Sequence, residues 1–160
     1  MKIKSQLFLG LFILLHFSCG RSFTFSHNLD IPETGWAYEN ILKYDFEVAD
    51  TDALYDLYLE IDYKTSFSFQ NMYVNVYTGQ EESEMKKALL SLDLSNNLGI
   101  WKGDCNAEKC TYLLPLQKSI YFEQAGGQKF WLEQFSRSPI LKGVQSIKLV
   151  GDIVGSKKGK

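Results

Sequence analysis

The sequence predicts an all-β protein: an antiparallel two-sheet β-sandwich that follows a cleaved signal peptide. Three observations predict it. Apolar and polar residues alternate with a period of two through much of the chain, as in strands with one face buried. Turn-forming residues such as Asp50–Asp52 and Ser95–Asn97 punctuate these stretches at short intervals, with no rhythm of strand and long helix. The first 18 residues differ in character, being basic and then apolar.

That leader takes its positive start from Lys2 and Lys4 and its apolar centre from Leu7 to Leu15. The centre is too short to cross a hydrocarbon layer of roughly 30 Å as a helix, but it suits the middle of a secretory signal. It ends in LHFSC, with Ser18 before Cys19. This resembles a bacterial lipobox, in which the thiol is acylated and the signal is cut just before it. His16 stands where the usual leucine falls and Leu15 lies one place early, so ordinary cleavage near an unmodified cysteine is the alternative. Lipid attachment at Cys19 is the expectation, and the lipid bilayer is then a partner: each buried methylene contributes roughly 0.8 kcal/mol.

The chain accordingly divides into a lipoprotein signal peptide (1–18), a membrane-proximal spacer (19–35), a β-sandwich domain (36–154) and a basic tail (155–160). The spacer contains RSFTFSHNLDIPET, which shows no clean periodicity. Trp36 opens the ordered part. Ile41–Ala49 sets Leu42, Tyr44, Phe46 and Val48 against Lys43, Asp45 and Glu47. Tyr55–Tyr63 sets Tyr55, Leu57, Leu59, Ile61 and Tyr63 against Asp56, Tyr58, Glu60 and Asp62. Asn71–Tyr77 offers Met72, Val74 and Val76 to a core.

Ala88–Leu94, Thr111–Gln117, Lys129–Phe135 and Ser146–Val154 complete the strong strands, and Gly99–Gly103 and Ser119–Phe122 are weaker ones. Pro115 implies an edge or a bulge in its strand. Glu81–Lys87 and Ser138–Gly143 read as short helices, and Ala125–Gly127 as a turn.

If Tyr55–Tyr63 and Asn71–Tyr77 pair as neighbours, residues opposite one another share a face. Burying their aliphatic positions then gathers Tyr58, Glu60, Asp62, Tyr73, Asn75 and Tyr77 outside. Tyr58, Asp62, Tyr73, Asn75 and Tyr77 thus form a candidate surface for a protein or glycan partner. The alternative is an ordinary sheet surface stabilised by cross-strand tyrosines.

About 140 residues after cleavage suit one domain with a genuine core. The formal charge of −2 includes Lys2 and Lys4, so the mature chain carries about −4 and offers no basic surplus for nucleic acid. With Cys19 assigned to lipid, Cys105 and Cys110 remain in GDCNAEKC, a spacing that a loop disulfide closes in an oxidising compartment. Zinc would need further ligands, and the two histidines are His16 and His27. Four intervening residues are not the C-x-x-C redox spacing either.

Catalytic readings find little support. Ser–His–acid chemistry needs a positioned imidazole, and the mature chain's histidine lies in the spacer. The acids Asp45, Glu47, Asp56, Glu60 and Asp62 fall on the polar phase of strands. Asp50, Asp52 and Asp56 could gather on calcium, but turn capping is the commoner use of such acids. Glu133 and Arg137 are expected to pair across a strand end. No catalytic residue, metal site or cofactor is assigned.

Most of the mature chain, from about Trp36 to Val154, resembles the GldH gliding-motility lipoproteins of Bacteroidota. The stretch DTDALYDLYLEIDYKTSFSFQNMYVNV is similar to the family's D-x-x-x-x-Y-x-L-x-L-x-x-R…Y-P-Y-x-N-L run. GIWKG and FWLEQFSRSPILKGVQSIKL are similar to its later patterns, including E-Q-x-x-R…L-x-G. Matching positions are Asp50, Tyr55, Phe67, Phe69, Asn71, Trp101, Gly103, Glu133, Gln134, Arg137, Leu141 and Gly143. The family's usual arginine falls on Asp62, its proline on Ser68 and a late glycine on Lys148, so no family role carries over to Asp62.

The resemblance implies a non-enzymatic envelope lipoprotein of the gliding machinery, tied to type IX secretion, without a cofactor. Its partners would be other gliding-motility envelope proteins. GRSFTF lacks the acidic run of a surface-export signal, which points to the periplasmic face of the outer membrane. An envelope glycan- or protein-binding module is the alternative.

Overall fold

Strands with one apolar face must bury it, and here two sheets do so against each other. The computed structural model describes residues 23–157; the expected signal peptide, the expected lipid attachment at Cys19 and the last three positions lie outside them. The strands are β1 (Phe25–Asp30), β2 (Trp36–Ala37), β3 (Leu42–Val48), β4 (Ala53–Lys64), β5 (Asn71–Gly79), β6 (Lys86–Asp93), β7 (Asp104–Cys105), β8 (Lys109–Ile120), β9 (Gly126–Gln134), β10 (Ile140–Leu141) and β11 (Val144–Ser156). One sheet has the order β1-β11-β4-β8-β7 and the other β3-β9-β5-β6, with β10-β2 as a small ribbon. Every pairing is antiparallel.

The core lies between the sheets. Leu59, Ile61, Tyr63, Ile147 and Leu149 come from the first, and Leu42, Tyr44, Met72, Val74 and Leu132 from the second. Each fully buried aliphatic side chain contributes roughly 1.5–3 kcal/mol, an upper figure because unfolded chains already hide some surface. Two tyrosines add polar joints between layers. Tyr44 donates its hydroxyl hydrogen bond to the Ile147 carbonyl at 2.8 Å, and burial raises the pKa of that phenol, so it stays a neutral donor. Tyr63 donates to the carbonyls of Leu94 and Lys102, stapling the 94–102 loop to the core. Trp101 from that loop packs edge-on against Tyr63 at 5.6 Å.

Several expectations change. Residues 25–30 are not spacer: β1 pairs with β11 along its length, from Phe25 opposite Gly151 to Asp30 opposite Ser146. Backbone pairing holds this polar strand, and Phe25, stacked on Phe46 at 4.4 Å, and Leu29 pack it against the core. Gly151 permits this, since a Cβ there would meet the Phe25 ring at 2.1 Å. Ile31 is buried as well.

The expected basic tail begins later, because β11 continues to Ser156. Ser138–Gly143 is not helical: Ile140–Leu141 pairs antiparallel with Trp36–Ala37. Glu81–Lys87 shortens to a single 3-10 turn at Glu82–Glu84 that buries none of its residues. Gly99–Gly103 contributes only a bridge from Trp101 to Ser95.

Pro115 meets both conditions set for it. The free side of β8 is paired by β7 only near Cys110 and Thr111, and the register with β4 slips beside Pro115.

Candidate functional site

The pairing assumed between Tyr55–Tyr63 and Asn71–Tyr77 does not occur. β4 lies between β11 and β8, and β5 between β9 and β6, in opposite sheets. Tyr58 and Asp62 therefore lie on the outward phase of one side of the sandwich, and Tyr73, Asn75 and Tyr77 on that of the other, but neighbouring side chains cover Tyr58 and Asn75, which are 8 % and 4 % exposed. Alternation dictates which face of a strand is buried, and both arrangements bury the same residues; it does not dictate the neighbour.

On the first face the polar groups are engaged locally. Asp62 accepts from the Thr111 hydroxyl at 2.6 Å and pairs with Lys109 at 3.3 Å. The Tyr58 hydroxyl donates to Asp56, whose other oxygen accepts the Ser119 amide. Asp50 accepts the Asp52 amide at 2.8 Å, so these acids cap turns. Among the described residues no group of three or more His, Cys, Asp or Glu side chains is placed to hold a metal ion. Cys105 and Cys110 are joined by a disulfide across the β7–β8 hairpin.

The outer face of the second sheet carries a different arrangement. Glu133 on β9 receives the Tyr77 hydroxyl at 2.6 Å and the Asn75 amide at 2.9 Å, with Lys87 at 3.8 Å. The Tyr77 hydrogen bond, then those of Asn75 and the charge of Lys87, hold the Glu133 carboxyl below its usual pKa despite its partial burial. An ionised carboxylate engaged through Oε2 in this way is a structural joint, opposite in character to a general acid. Glu133 thus pairs across strands with Asn75, Tyr77 and Lys87, and not with Arg137. Next along the sheet, the Lys43 ammonium lies 3.8 Å from the centre of the Trp131 ring.

Beyond Glu133 the chain leaves β9 in a loop organised by Gln134, which is 1 % exposed. Its Nε2 donates to the carbonyls of Ser138 and Pro139, and its Oε1 accepts from the Ser136 amide and hydroxyl. With all its groups used, Gln134 fixes the loop and turns Phe135 and Arg137 outward.

Those side chains border a groove of about 520 Å³. Its walls are Phe69, Tyr73, Leu89 and Phe135, and Met72 and Leu141 lie beneath. Asn71, Ser136 and Arg137 are its polar members. Phe69, Tyr73, Leu89 and Phe135 are each about half exposed, a concentration of apolar surface of the kind that interaction sites present. Among the described residues Arg137 makes no hydrogen bond and no ion pair.

Of the residues proposed from sequence, the groove uses Tyr73, whereas Asn75 and Tyr77 belong to the Glu133 joint. Phe69, Asn71 and Leu141 were visible as site candidates only through the family resemblance, and Arg137 was singled out as a partner for Glu133 and not for a groove. Leu89 and Phe135 were missed, although the apolar run in Ala88–Leu94 was a signal for Leu89. A second cavity, about 450 Å³, opens at the other end of β5 among Gln80, Gln117 and Gln124. No described helix is long and apolar enough to cross a membrane.

Residues 24–149 match the family model described as GldH lipoprotein. No curated protein matches the chain.

Proposed function

Because the chain belongs to the GldH lipoprotein family, we propose that it is a non-enzymatic component of the bacterial gliding machinery. In this reading it is anchored by lipid on Cys19 at the periplasmic face of the outer membrane. There it works by contact with other gliding-motility envelope proteins associated with type IX secretion. The observation that carries the proposal is the family match across nearly all of the sandwich. The groove beside Gln134 supports it physically, since exposed aromatic and aliphatic walls with an unpaired arginine suit a protein partner better than a small reactant.

The glycan-binding alternative depended on Tyr58, Tyr73 and Tyr77 sharing one face, and the two sheets separate them. The Tyr77 hydroxyl is also committed to Glu133.

The test is genetic and biochemical together. Deleting the gene in a gliding host is expected to abolish colony spreading and reduce type IX secretion, with restoration by the wild-type gene. Mass spectrometry of the mature protein is expected to find acyl chains on Cys19, and fractionation to recover it with outer membranes. Normal spreading in the deletion strain, or an unacylated soluble product, would refute the proposal.

A further inference from the structure

The two sheets leave four strand edges, and they are not equivalent. β3 presents Lys43, Asp45 and Glu47 outward, while Leu42, Tyr44 and Val48 are already buried. β1 is short and largely polar. β8 carries Pro115, which cannot donate to a new neighbour. β6, KKALLSLD, confines its charges to its ends, Lys86, Lys87 and Asp93, and leaves ALLSL between them uncharged; it holds no proline, and its ladder with β5 runs without a register shift. Natural sheets blunt such edges, because a row of free backbone groups is a template for another strand.

The side chains of β6 also lack cover. Only Leu92 is buried in the whole strand. Leu89 faces outward and is 56 % exposed. Leu90 lies opposite the fully buried Val74 and belongs to the inward phase, yet it is 36 % exposed. An inward leucine left wet marks a core that is incomplete along this side.

We propose that β6 is the seam of a homodimer, in which two copies pair antiparallel about a two-fold axis at Leu90 and join their four-stranded sheets into one of eight. The strand's own sequence specifies a second copy. In a continuous sheet, inward residues must oppose inward residues, so the symmetry axis passes through a residue and not between two. An axis at Leu90 sets Leu90 against its own copy, Leu89 against Ser91 and Ala88 against Leu92. Each of those last two pairs matches a large side chain with a small one. The same axis sets Lys87 against Asp93, twice by symmetry, an opposite-charge match on the outer face. Moving the axis to Leu89 sets Lys87 against Ser91 and Lys86 against Leu92, and the charge match is gone. The seam is narrow, so the dimer is expected to be weak and concentration-dependent. This inference is argued from the edge and its sequence, and it shares Leu89 with the groove that supports the proposed function.

The experiment uses the full mature chain in detergent. Sedimentation over a range of concentrations is expected to show reversible dimerisation, and Asp93→Lys is expected to raise the dissociation midpoint at least fivefold (an order-of-magnitude figure for two like-charge contacts). Under mild oxidation, Leu90→Cys is expected to give a reducible species of twice the mass. Leu89→Cys should give roughly tenfold less, because its two copies lie diagonal to each other. Thermal unfolding of each variant checks that the sandwich is intact. A wild-type monomer at every concentration, with no Leu90→Cys dimer from a folded chain, overturns the proposal. So does stronger cross-linking through Leu89→Cys, which places the axis elsewhere, or capture of a different envelope protein by Leu90→Cys in cells.

Discussion

The Tyr77 hydroxyl donates to Glu133 Oε2 at 2.6 Å, joining β5 to β9 on the outer face of the four-stranded sheet. Asn75, 4 % exposed, donates to the same oxygen. A carboxylate with two neutral donors and a nearby lysine makes an acid-sensitive joint, because all three favour the charged form.

The sign of that sensitivity follows. The folded pKa of Glu133 is depressed, so its contribution is fully present above the unfolded value of about 4.3 and is lost as pH falls through the lower folded value. Wild-type stability is expected to fall in acid more steeply than that of Glu133→Gln. At pH 7, Glu133→Ala is expected to cost about 1–3 kcal/mol, since the buried Asn75 amide loses its acceptor. Urea melts at pH 7 and pH 3 check both; equal acid slopes for wild type and Glu133→Gln would contradict the account.

Gly103 has φ +90°, and a Cβ there would lie 2.3 Å from the Thr111 carbonyl oxygen. Backbone cannot retreat as a flexible side chain does. Gly103→Ala is therefore expected to cost more than about 2 kcal/mol. Gly99 also has positive φ, +78°, but the atom nearest its missing Cβ is the Gln70 amide nitrogen at 3.6 Å. Gly99→Ala should cost only about 1–2 kcal/mol, from conformation alone. Denaturant unfolding of the two variants, compared directly, is the check.

Tyr63→Phe keeps the ring within the core but leaves the Leu94 and Lys102 carbonyls without their shared donor. A loss of about 1–3 kcal/mol is expected. Amide exchange should show faster opening around residues 94–102, with little change in β11.

The groove variants should separate folding from contact. Phe135 is 55 % exposed, and Arg137 is exposed without a partner among the described residues. Phe135→Asp and Arg137→Glu are expected to alter stability by no more than about 0.5 kcal/mol. In a gliding host, each is expected to reduce colony spreading to well below the wild-type level at equal protein abundance. Full spreading by both would remove the groove from consideration.

The strands that bury much apolar surface were legible in the sequence, since β3, β4, β5, β9 and β11 show the period-two pattern that a two-sheet core demands. Pro115 was legible for the same kind of reason, a chemistry that a central strand cannot accommodate. Partner choice was not. Leu59 and Ile61 on β4 and Val74 and Val76 on β5 reach the same core whether they lie side by side or face each other, so the face assigned to Tyr58 and Tyr73 together could not be checked by alternation. β1 was invisible for another reason: an edge strand is held by backbone pairing, which leaves no composition signal. The groove joins Phe69 and Tyr73, Leu89, and Phe135 from three separate stretches, and only the fold brings them together.

Ordering of β1 against β11 also limits how far the domain stands from a bilayer. Phe25 follows Cys19 by six positions (25 minus 19), a leash of at most about 20 Å when fully extended. β11 alone, 13 residues long, extends about twice that distance. With an acyl group on Cys19, the molecule cannot wander from the lipid surface, and whatever it grips must come to a thin layer of the envelope to be held.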